Sequence, residues 1–301
     1  MTQRPRVDVG VVTWNTRDLT VQALRTLLEN DQGVDLRVLV RDNGSADGTA
    51  EAIAAAIPEA VVEAGEDNLG FAGGVNRLLA RSDAPWFLTL NSDAWPDVGA
   101  IARMVAAAGA GTKVAAVAPL VLRPDDTLEH TIHPFPSAGL SLRMAAHRPA
   151  VADHSAARPI AWAHGAALLF RRAAVDEIGG LDERLFMYAE DFEWCWRASQ
   201  RGWTVWFEPS AVVRHIGNAS AAQNYGTRRL TAQWRNNYRV YRWHRGALPT
   251  IGLRAANVVR ASAELSRAIA GRKPGAARYW RQQLRVHFVS TRQPDGPPTA
   301  T

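Results

Sequence analysis

The chain has 301 residues, which is long enough for one large α/β domain or for one domain with an appendage. Its single cysteine, Cys195, excludes an internal disulfide framework and a cysteine-based metal site, and no run of about 18 uncharged apolar residues predicts a bilayer-spanning segment. The net charge of +6 is unevenly divided: residues 225–301 carry 15 basic and 2 acidic side chains, whereas the first 224 carry 20 basic and 27 acidic ones.

These counts predict an acidic body with a basic C-terminal extension.

The first residues, MTQRPRVDVGVVTWN, have only a short apolar run and no small-residue cleavage site, so we expect no signal peptide and a cytosolic location.

The first 91 residues alternate predicted strands with predicted helices. The strands are expected at 7–14, 36–43, 60–65 and 86–91, and helices at 15–30, from 50 and at 71–82. Such alternation is typical of right-handed crossovers and a parallel sheet. Ligands of such sheets bind beyond the carboxyl ends of the strands, where Thr13, Asp42 and Asp93 all fall.

Residues 112–160 are rich in Pro and His and have weak periodicity. We interpret them as a strand followed by a long loop, either a lid facing the substrate or a surface excursion. Regular structure is then expected again, with strands at 165–170 and 204–207 and helices at 173–178 and 190–201.

After residue 225 the sequence predicts basic helices with Trp and Tyr between the arginines, a mostly uncharged helix at 253–269, and a disordered end at 293–301. Three interpretations of this extension stay open. It docks on the anionic inner face of a membrane, it packs on the body or on a second subunit, or it binds nucleic acid. The acidic body and the lack of a nucleic-acid motif make the last the least favoured.

Seven motifs occur in the same order as in a known family: VVTWN, RDNGSADGT, DNLGFAGGVN, LNSDA, HGAALLFRR, GGLDERLFMYAEDFEWCWR and VVRHIGNAS. Together they make residues 7–220 resemble the family 2 glycosyltransferases of the GT-A fold, especially the rhamnosyltransferase-like branch. The resemblance implies an α/β domain over 1–224, with an open, mostly parallel sheet flanked by helices and a Rossmann-like nucleotide-binding half. The basic helical extension, 225–301, lies outside it.

The resemblance also implies an inverting transfer of a sugar from a nucleotide diphosphate to a hydroxyl group. The expected donor is a dTDP- or UDP-sugar, with L-rhamnose the first choice, and the expected acceptor is a glycan or a polyprenyl-linked sugar. Mg²⁺ or Mn²⁺ is the expected cofactor, because oxygen and imidazole ligands suit these ions.

Three residues match the catalytic and metal positions of the family. Asp191, the second acid of the Glu-Asp pair, is the expected general base. Asp93 is the expected principal metal ligand, and His215, just after the last predicted strand, completes the metal site in some relatives. Asn91 stands where the family's first metal-motif acid is usual, so it contributes an amide oxygen without charge.

The expected nucleotide-binding residues belong to three turns. The resemblance implies that Asp42 accepts a hydrogen bond from the imide N–H of uracil or thymine. Thr13 and Asn15 lie on the first strand-to-helix turn, where donors meet the nucleoside or diphosphate. The NLGFAGGVN segment, expected to cover the ribose and phosphate, supplies the remaining residues, Asn68, Gly73 and Asn76.

Two alternatives to a glycosyltransferase stay open. Because Asn91 weakens the metal motif, the chain could be a sugar-nucleotide-binding scaffold without catalysis. A nucleotidyltransferase shares an open α/β nucleotide-binding half, but it needs a basic triphosphate-binding loop near the N-terminus, and TWNTRD is a poor one.

Overall fold

The computed structural model describes residues 3–109, 111, 113–146, 153–217 and 228–291. Its strands are β1 (Arg6–Thr13), β2 (Asp35–Asp42), β3 (Val61–Ala64), β4 (Trp86–Asn91), β5 (Ala94–Pro96), β6 (Val114–Leu122), β7 (Ile132–His133), β8 (Arg158–Ile160), β9 (Trp162–Ala163), β10 (Ala167–Arg171) and β11 (Thr204–His215). Its helices are α1 (Arg17–Glu29), α2 (Thr49–Ala56), α3 (Gly70–Arg81), α4 (Ala100–Gly109), α5 (Ala138–Ala145), α6 (Arg172–Ile178), α7 (Glu190–Gln200), α8 (Arg228–Arg245), α9 (Ala247–Ala270) and α10 (Pro274–Val286).

The centre of the molecule is a nine-stranded sheet with the order β3-β2-β1-β4-β10-β6-β11-β5, in which β8 also pairs with β11. Strands β1 to β4 pair in parallel, as the alternating pattern predicts, and β6 pairs in parallel with β11. Strand β10 is antiparallel to both of its neighbours and joins the two parallel groups. The predicted fold, an open and mostly parallel sheet flanked by helices, is confirmed.

Two apolar layers cover the faces of this sheet. One contains Val9 and Leu90 with residues of α1 and α4, and the other contains Phe87 and Leu168 with residues of α3 and α7. Because both faces are covered, the central strands are mostly apolar. Polar side chains therefore gather where the strands end, at the edge that holds the site described below.

The prediction was wrong in two regions. Residues 112–160, expected to be a strand and a long loop, also contain the helix α5, which begins after Ser137, whose Oγ accepts a hydrogen bond from the Leu140 backbone N–H. Strand β11, expected to end at Phe207, continues to His215. His215 is therefore the last residue of the strand and does not follow it.

The C-terminal helices pack on the body. Helix α9 lies against α5, where Ser141 Oγ donates a hydrogen bond to Asn257 Oδ1 at 2.7 Å and Arg267 donates to the backbone carbonyl of Ala145. Helix α9 begins at Ala247, earlier than predicted, and the predicted disordered end lies outside the described residues. Within the described ranges, none of the helices combines the length and apolarity that crossing a bilayer requires.

Candidate active site

A cavity of about 210 Å³ opens at the carboxyl ends of β1 and β4. Its walls include the ends of these strands, residues 164–166, the segment 187–191 leading into α7, and one face of α8. Six of the ten residues predicted for the site line this cavity: Thr13, Asn68, Asn91, Asp93, Asp191 and His215.

Strand register brings Asp93 and His215 together. Strand β11 pairs antiparallel with β5, and His215 stands opposite Ala94, the residue after Asp93. The backbone N–H of Ile216 also donates to the Asp93 carbonyl at 3.0 Å. As a result His215 Nε2 lies 3.2 Å from Asp93 Oδ1, and both side chains are buried.

The second nitrogen of His215 contacts a residue that the sequence did not single out. Its Nδ1 lies 2.9 Å from Oε2 of Glu129, which also lines the cavity. Burial lowers the pKa of His215, but the hydrogen bonds and negative charges of Asp93 and Glu129 outweigh burial and raise the pKa to about 9. In this arrangement the imidazolium links the two carboxylates.

The same atoms fit a divalent cation. Adjacent ligands about 2.1 Å from an octahedral ion lie about 3 Å apart, close to the 3.2 Å between Asp93 Oδ1 and His215 Nε2. To bind an ion, Nε2 must lose its proton, while Nδ1 keeps its own and donates it to Glu129. Within the described residues, no group of three or more His, Cys, Asp or Glu side chains is arranged to hold a metal ion.

Asp191 is held by backbone donors at the start of α7. Its Oδ2 accepts a hydrogen bond from the Gly165 N–H at 2.8 Å, and its Oδ1 accepts one from the Phe192 N–H at 2.6 Å. Burial raises the pKa of Asp191, and the charge of His164 and these hydrogen bonds oppose the rise. A carboxylate whose pKa is raised toward the working pH is suited to accept a proton.

Unusual backbone conformations position this carboxylate. Tyr188 and Ala189 have φ values of 72° and 74°, in the left-handed region that side chains other than glycine rarely adopt. The preceding chain is also fixed, because the Phe186 carbonyl accepts a hydrogen bond from the Phe71 N–H at 2.8 Å. Such backbone strain is held in place by the surrounding structure and is concentrated at functional sites.

Helix α8, part of the extension that lies outside the family resemblance, forms one wall of the cavity. Arg229, Gln233 and Asn237 line it at intervals of four residues, so they share one helix face. Arg229 is the one arginine or lysine among the described residues of this lining, which also contains the acidic side chains of Asp93, Glu129 and Asp191. Sequence reasoning missed these three residues, although their spacing was visible.

Two predicted nucleotide residues, Asn15 and Asp42, lie next to the cavity but do not line it. Asn15 Oδ1 accepts a hydrogen bond from the Ala46 N–H at 2.8 Å, and Ser45 Oγ donates to Asp42 Oδ1 at 2.5 Å. Burial raises the pKa of Asp42, and its bonds to Ser45 oppose the rise. These contacts hold the loop 43–48 beside the end of β1.

The other two, Gly73 and Asn76, lie inside α3 and away from the cavity. Asn76 fixes the connector after α6: its Nδ2 donates to the Leu181 carbonyl at 2.9 Å, and its Oδ1 accepts from the Leu181 N–H at 2.9 Å. The glycine that this segment requires is Gly70, with φ 71°, where an added Cβ would lie 2.1 Å from the Phe186 carbonyl oxygen. Neither Gly73 nor Asn76 is therefore placed to contact a ligand in this cavity.

Comparison with known proteins agrees with this architecture. The model of Glycosyl transferase family 2 matches residues 8–179, and that of Glycosyl transferase family 21 matches residues 141–265. The chain is 30% identical over 264 residues to the N-acetylglucosaminyl-diphospho-decaprenol L-rhamnosyltransferase of Mycobacterium tuberculosis, covering 76% of this chain and 85% of that protein. It is 28% identical over 208 residues to the pre-mycofactocin glycosyltransferase of the same organism, covering 66% of this chain and 43% of that protein.

Two solved structures share the fold. A mannosyltransferase from Pyrobaculum calidifontis, in complex with GDP-Man and Mn²⁺, superposes with a TM-score of 0.59 at 20% identity, covering 95% of this chain and 85% of that one. GalNAc-T7 with UDP, GalNAc and Mn²⁺ superposes with a TM-score of 0.61 at 14% identity, covering 89% and 52%.

Proposed function

The chain belongs to glycosyl transferase family 2 and is a glycosyltransferase that uses a nucleotide-sugar donor, and from this premise we propose a specific reaction. It moves a sugar from a dTDP- or UDP-sugar to a hydroxyl group of a glycan or polyprenyl-linked acceptor, with inversion at the anomeric carbon. L-Rhamnose is the proposed sugar, supported by the relative named as an L-rhamnosyltransferase. The observation that carries the mechanism is the opening of Asp191 and of the Asp93–His215 pair into one cavity.

In the proposed step the acceptor oxygen forms a bond to the anomeric carbon while the bond from that carbon to the diphosphate breaks. Asp191 takes the hydroxyl proton, and its two backbone hydrogen bonds hold the carboxylate in one orientation. The nucleotide diphosphate leaves with the bonding electron pair, so the new charge develops on its oxygens. Arg229, which lines the same cavity, is the arginine we assign to stabilise that charge.

Asp93 and His215 are the proposed ligands of Mg²⁺ or Mn²⁺, with Asn91 beside them and Glu129 orienting the imidazole. When bound, the ion would neutralise negative charge on the diphosphate. Asp42 is the proposed acceptor for the imide N–H of the pyrimidine, because it ends β2 next to the cavity-lining Asn43 and its Oδ2 receives no hydrogen bond from the described residues.

We also propose that the extension rests on the anionic inner face of a membrane. Between residues 228 and 291 the only acidic residue is Glu264, so the charge of this region complements anionic lipid. Large apolar side chains are exposed on the same helices: Leu248 at 82% and Ile251 at 62% share one face of α9, and Phe288 is 71% exposed after α10. Basic and apolar groups together are the combination that holds a protein at a lipid surface.

The direct test supplies the full chain with Mn²⁺ or Mg²⁺, a panel of dTDP- and UDP-sugars, and acceptors that bear a free hydroxyl group. Release of the nucleotide diphosphate is measured, together with the anomeric configuration of the product. Asp191→Asn should lower transfer by about 10²- to 10⁴-fold and leave nucleotide binding intact. Nucleotide binding without turnover in the wild type would instead favour a non-catalytic scaffold, and normal turnover by the variant would eliminate Asp191 as the base.

A further inference from the structure

A second cavity, also of about 210 Å³, lies between α5, α8 and α9. It is separated from the catalytic cavity by one wall, because Trp162 and Asn237 line both spaces. The Trp162 ring stacks on His164 with 5.2 Å between ring centroids, and its indole N–H donates to the Pro134 carbonyl at 3.1 Å. The shared wall is therefore held in one orientation.

The walls of this second cavity are mostly apolar, supplied in part by Pro134, Pro136, Leu140, Met144, Phe192 and Leu253. Two polar groups in it form no hydrogen bond or salt bridge with the described residues. Among the described residues, no carboxylate lies within salt-bridge distance of the Arg260 guanidinium, which lies 5.7 Å from the Trp280 ring centroid. The buried Nε2 of His133 likewise has no hydrogen-bond partner in the described parts of the chain.

Buried hydrogen bonds keep the cavity walls apart. Asn257 accepts from Ser141 of α5 and donates to the Tyr238 hydroxyl of α8 at 2.8 Å, and this hydroxyl lies 2.9 Å from His287 Nδ1. A network that ties three helices together resists collapse of the space between them. Because protein interiors are otherwise close-packed, a persistent space with apolar walls and unpaired polar groups indicates a ligand.

We propose that this cavity binds the lipid part of the acceptor, taking a short segment of an isoprenoid chain with Arg260 beside its phosphate groups. The assignment rests on the proposed function, since it names the acceptor class of the same enzyme. A cavity of about 210 Å³ is small beside a long polyprenyl chain, so it takes the start of the chain and not its whole length. Because Trp162 and Asn237 line both cavities, an acceptor in this position lies directly beside the cavity that holds Asp191.

Helix α5 provides a matched pair of variants for a binding test. Met144 lines the cavity, so Met144→Trp fills it, whereas Leu142 on the same helix is 48% exposed and does not line it, so Leu142→Trp is the control. Arg260→Gln removes the unpaired charge without adding bulk, and Arg278→Gln, at an exposed position of α10, is its control. Thermal unfolding of all four variants checks that they fold.

The probe is farnesyl diphosphate, titrated calorimetrically into the full chain in the presence of a chelator, with pyrophosphate and farnesol as comparisons. We expect farnesyl diphosphate to bind at least about tenfold more tightly than either comparison, and Met144→Trp and Arg260→Gln each to weaken it by at least about tenfold. Both controls should bind like the wild type. Equal binding of pyrophosphate, or no effect of either cavity variant, would overturn the assignment.

A kinetic arm separates this proposal from the proposed function. With a prenyl-diphosphate-linked acceptor, Met144→Trp should raise the KM for that acceptor more than it changes kcat, and Leu142→Trp should change neither. If the wild type turns over no donor at all, the proposed reaction is wrong. Farnesyl diphosphate binding still tests whether this cavity takes an isoprenoid diphosphate. Vesicle lipid that displaces farnesyl diphosphate would show a general lipid site and would contradict an acceptor site.

Discussion

His215 Nε2 lies 3.2 Å from Asp93 Oδ1 because β11 pairs antiparallel with β5 in the register that places His215 opposite Ala94. The two side chains are far apart in sequence, yet backbone hydrogen bonds fix their separation. On its other side the imidazole contacts Glu129 at 2.9 Å. A carboxylate behind a histidine sets which ring nitrogen keeps its proton and how the ring is oriented toward an ion.

This relationship predicts an effect of Glu129→Gln on metal affinity. The variant keeps the size of the side chain but loses the charge that favours N–H on Nδ1, so Mn²⁺ should bind about 10- to 100-fold more weakly. The measurement is Mn²⁺ titration of the nucleotide-bound protein by electron paramagnetic resonance. Asp125→Asn, at an exposed position nearby, serves as the control. Unchanged Mn²⁺ affinity in the Glu129 variant would show that the contact is structural.

The environment of Asp191 predicts the acid side of the pH profile. Burial raises the pKa of this carboxyl group, so its basic form is lost as pH falls through a value above the usual pKa of about 3.9 for Asp. In a plot of kcat/KM against pH at saturating metal, the acid limb should therefore lie at a higher pH than an ordinary aspartate would give. Above that pH, kcat/KM should reach a plateau. Asp176→Asn, on the exposed side of α6, should not move the limb. A profile flat down to pH 4 would contradict the assignment of Asp191.

The position of Arg229 in the cavity lining predicts that the extension takes part in the chemical step. Arg229→Gln removes the arginine of the described lining, so charge on the departing diphosphate is less well stabilised and kcat should fall by at least about tenfold. The control is Arg242→Gln, at an exposed position of the same helix. Steady-state kinetics with saturating donor and acceptor give the answer, and equal kcat values for the two variants would place Arg229 outside the reaction.

The backbone conformation and close packing of Gly70 predict that adding a single methyl group there destabilises the protein. Gly70→Ala should lower the free energy of unfolding by more than about 1 kcal/mol, because the new Cβ meets the Phe186 carbonyl and φ is 71°. Gly252→Ala is the matched control, since its Cβ meets no atom within 4 Å in α9, and helix propensity there should raise stability by up to about 1 kcal/mol. Thermal unfolding measures both. A stable Gly70→Ala variant would show that the turn before α3 can adjust.

The exposed apolar face of α9 predicts membrane binding by the full chain. Leu248→Ser with Ile251→Ser should reduce flotation with vesicles that contain anionic lipid by at least about tenfold, because two large apolar side chains no longer enter the lipid. Val98→Ser, which changes a side chain 61% exposed on the acidic body, is the control. Raising the salt concentration should weaken flotation of the wild type. Binding to single-stranded DNA without flotation would favour the nucleic-acid interpretation of the extension.

The sequence predicted the parts of this structure that local pattern determines. Alternating apolar runs gave the order of β1 to β4, and the motif around Asp191 gave a side chain that does line the cavity. Glu129 could not be found in this way, because its role depends on the register between β11 and its neighbours. The choice of Gly70 over Gly73 likewise depends on the contact with Phe186, which is far away in sequence.

Helix α5 and the contribution of α8 to the cavity were missed for different reasons. The signal for α5 was present, since Ser137 is a helix-capping residue type, but the surrounding prolines favoured a loop. The contribution of α8 to the cavity was obscured by its composition, because Arg and aromatic residues on a helix suggest a surface. The division at residue 224 stays a prediction, but the cavity includes residues from both sides of it.

The contribution of α8 to the wall of the catalytic cavity has a practical consequence for anyone shortening this protein. A chain cut after residue 224 loses three cavity-lining residues, Arg229, Gln233 and Asn237, together with its basic surface. Inactivity of such a fragment would therefore report an opened reaction chamber as readily as a lost lipid anchor. Point substitutions on the outer face of α9 separate the two effects, and deletion does not.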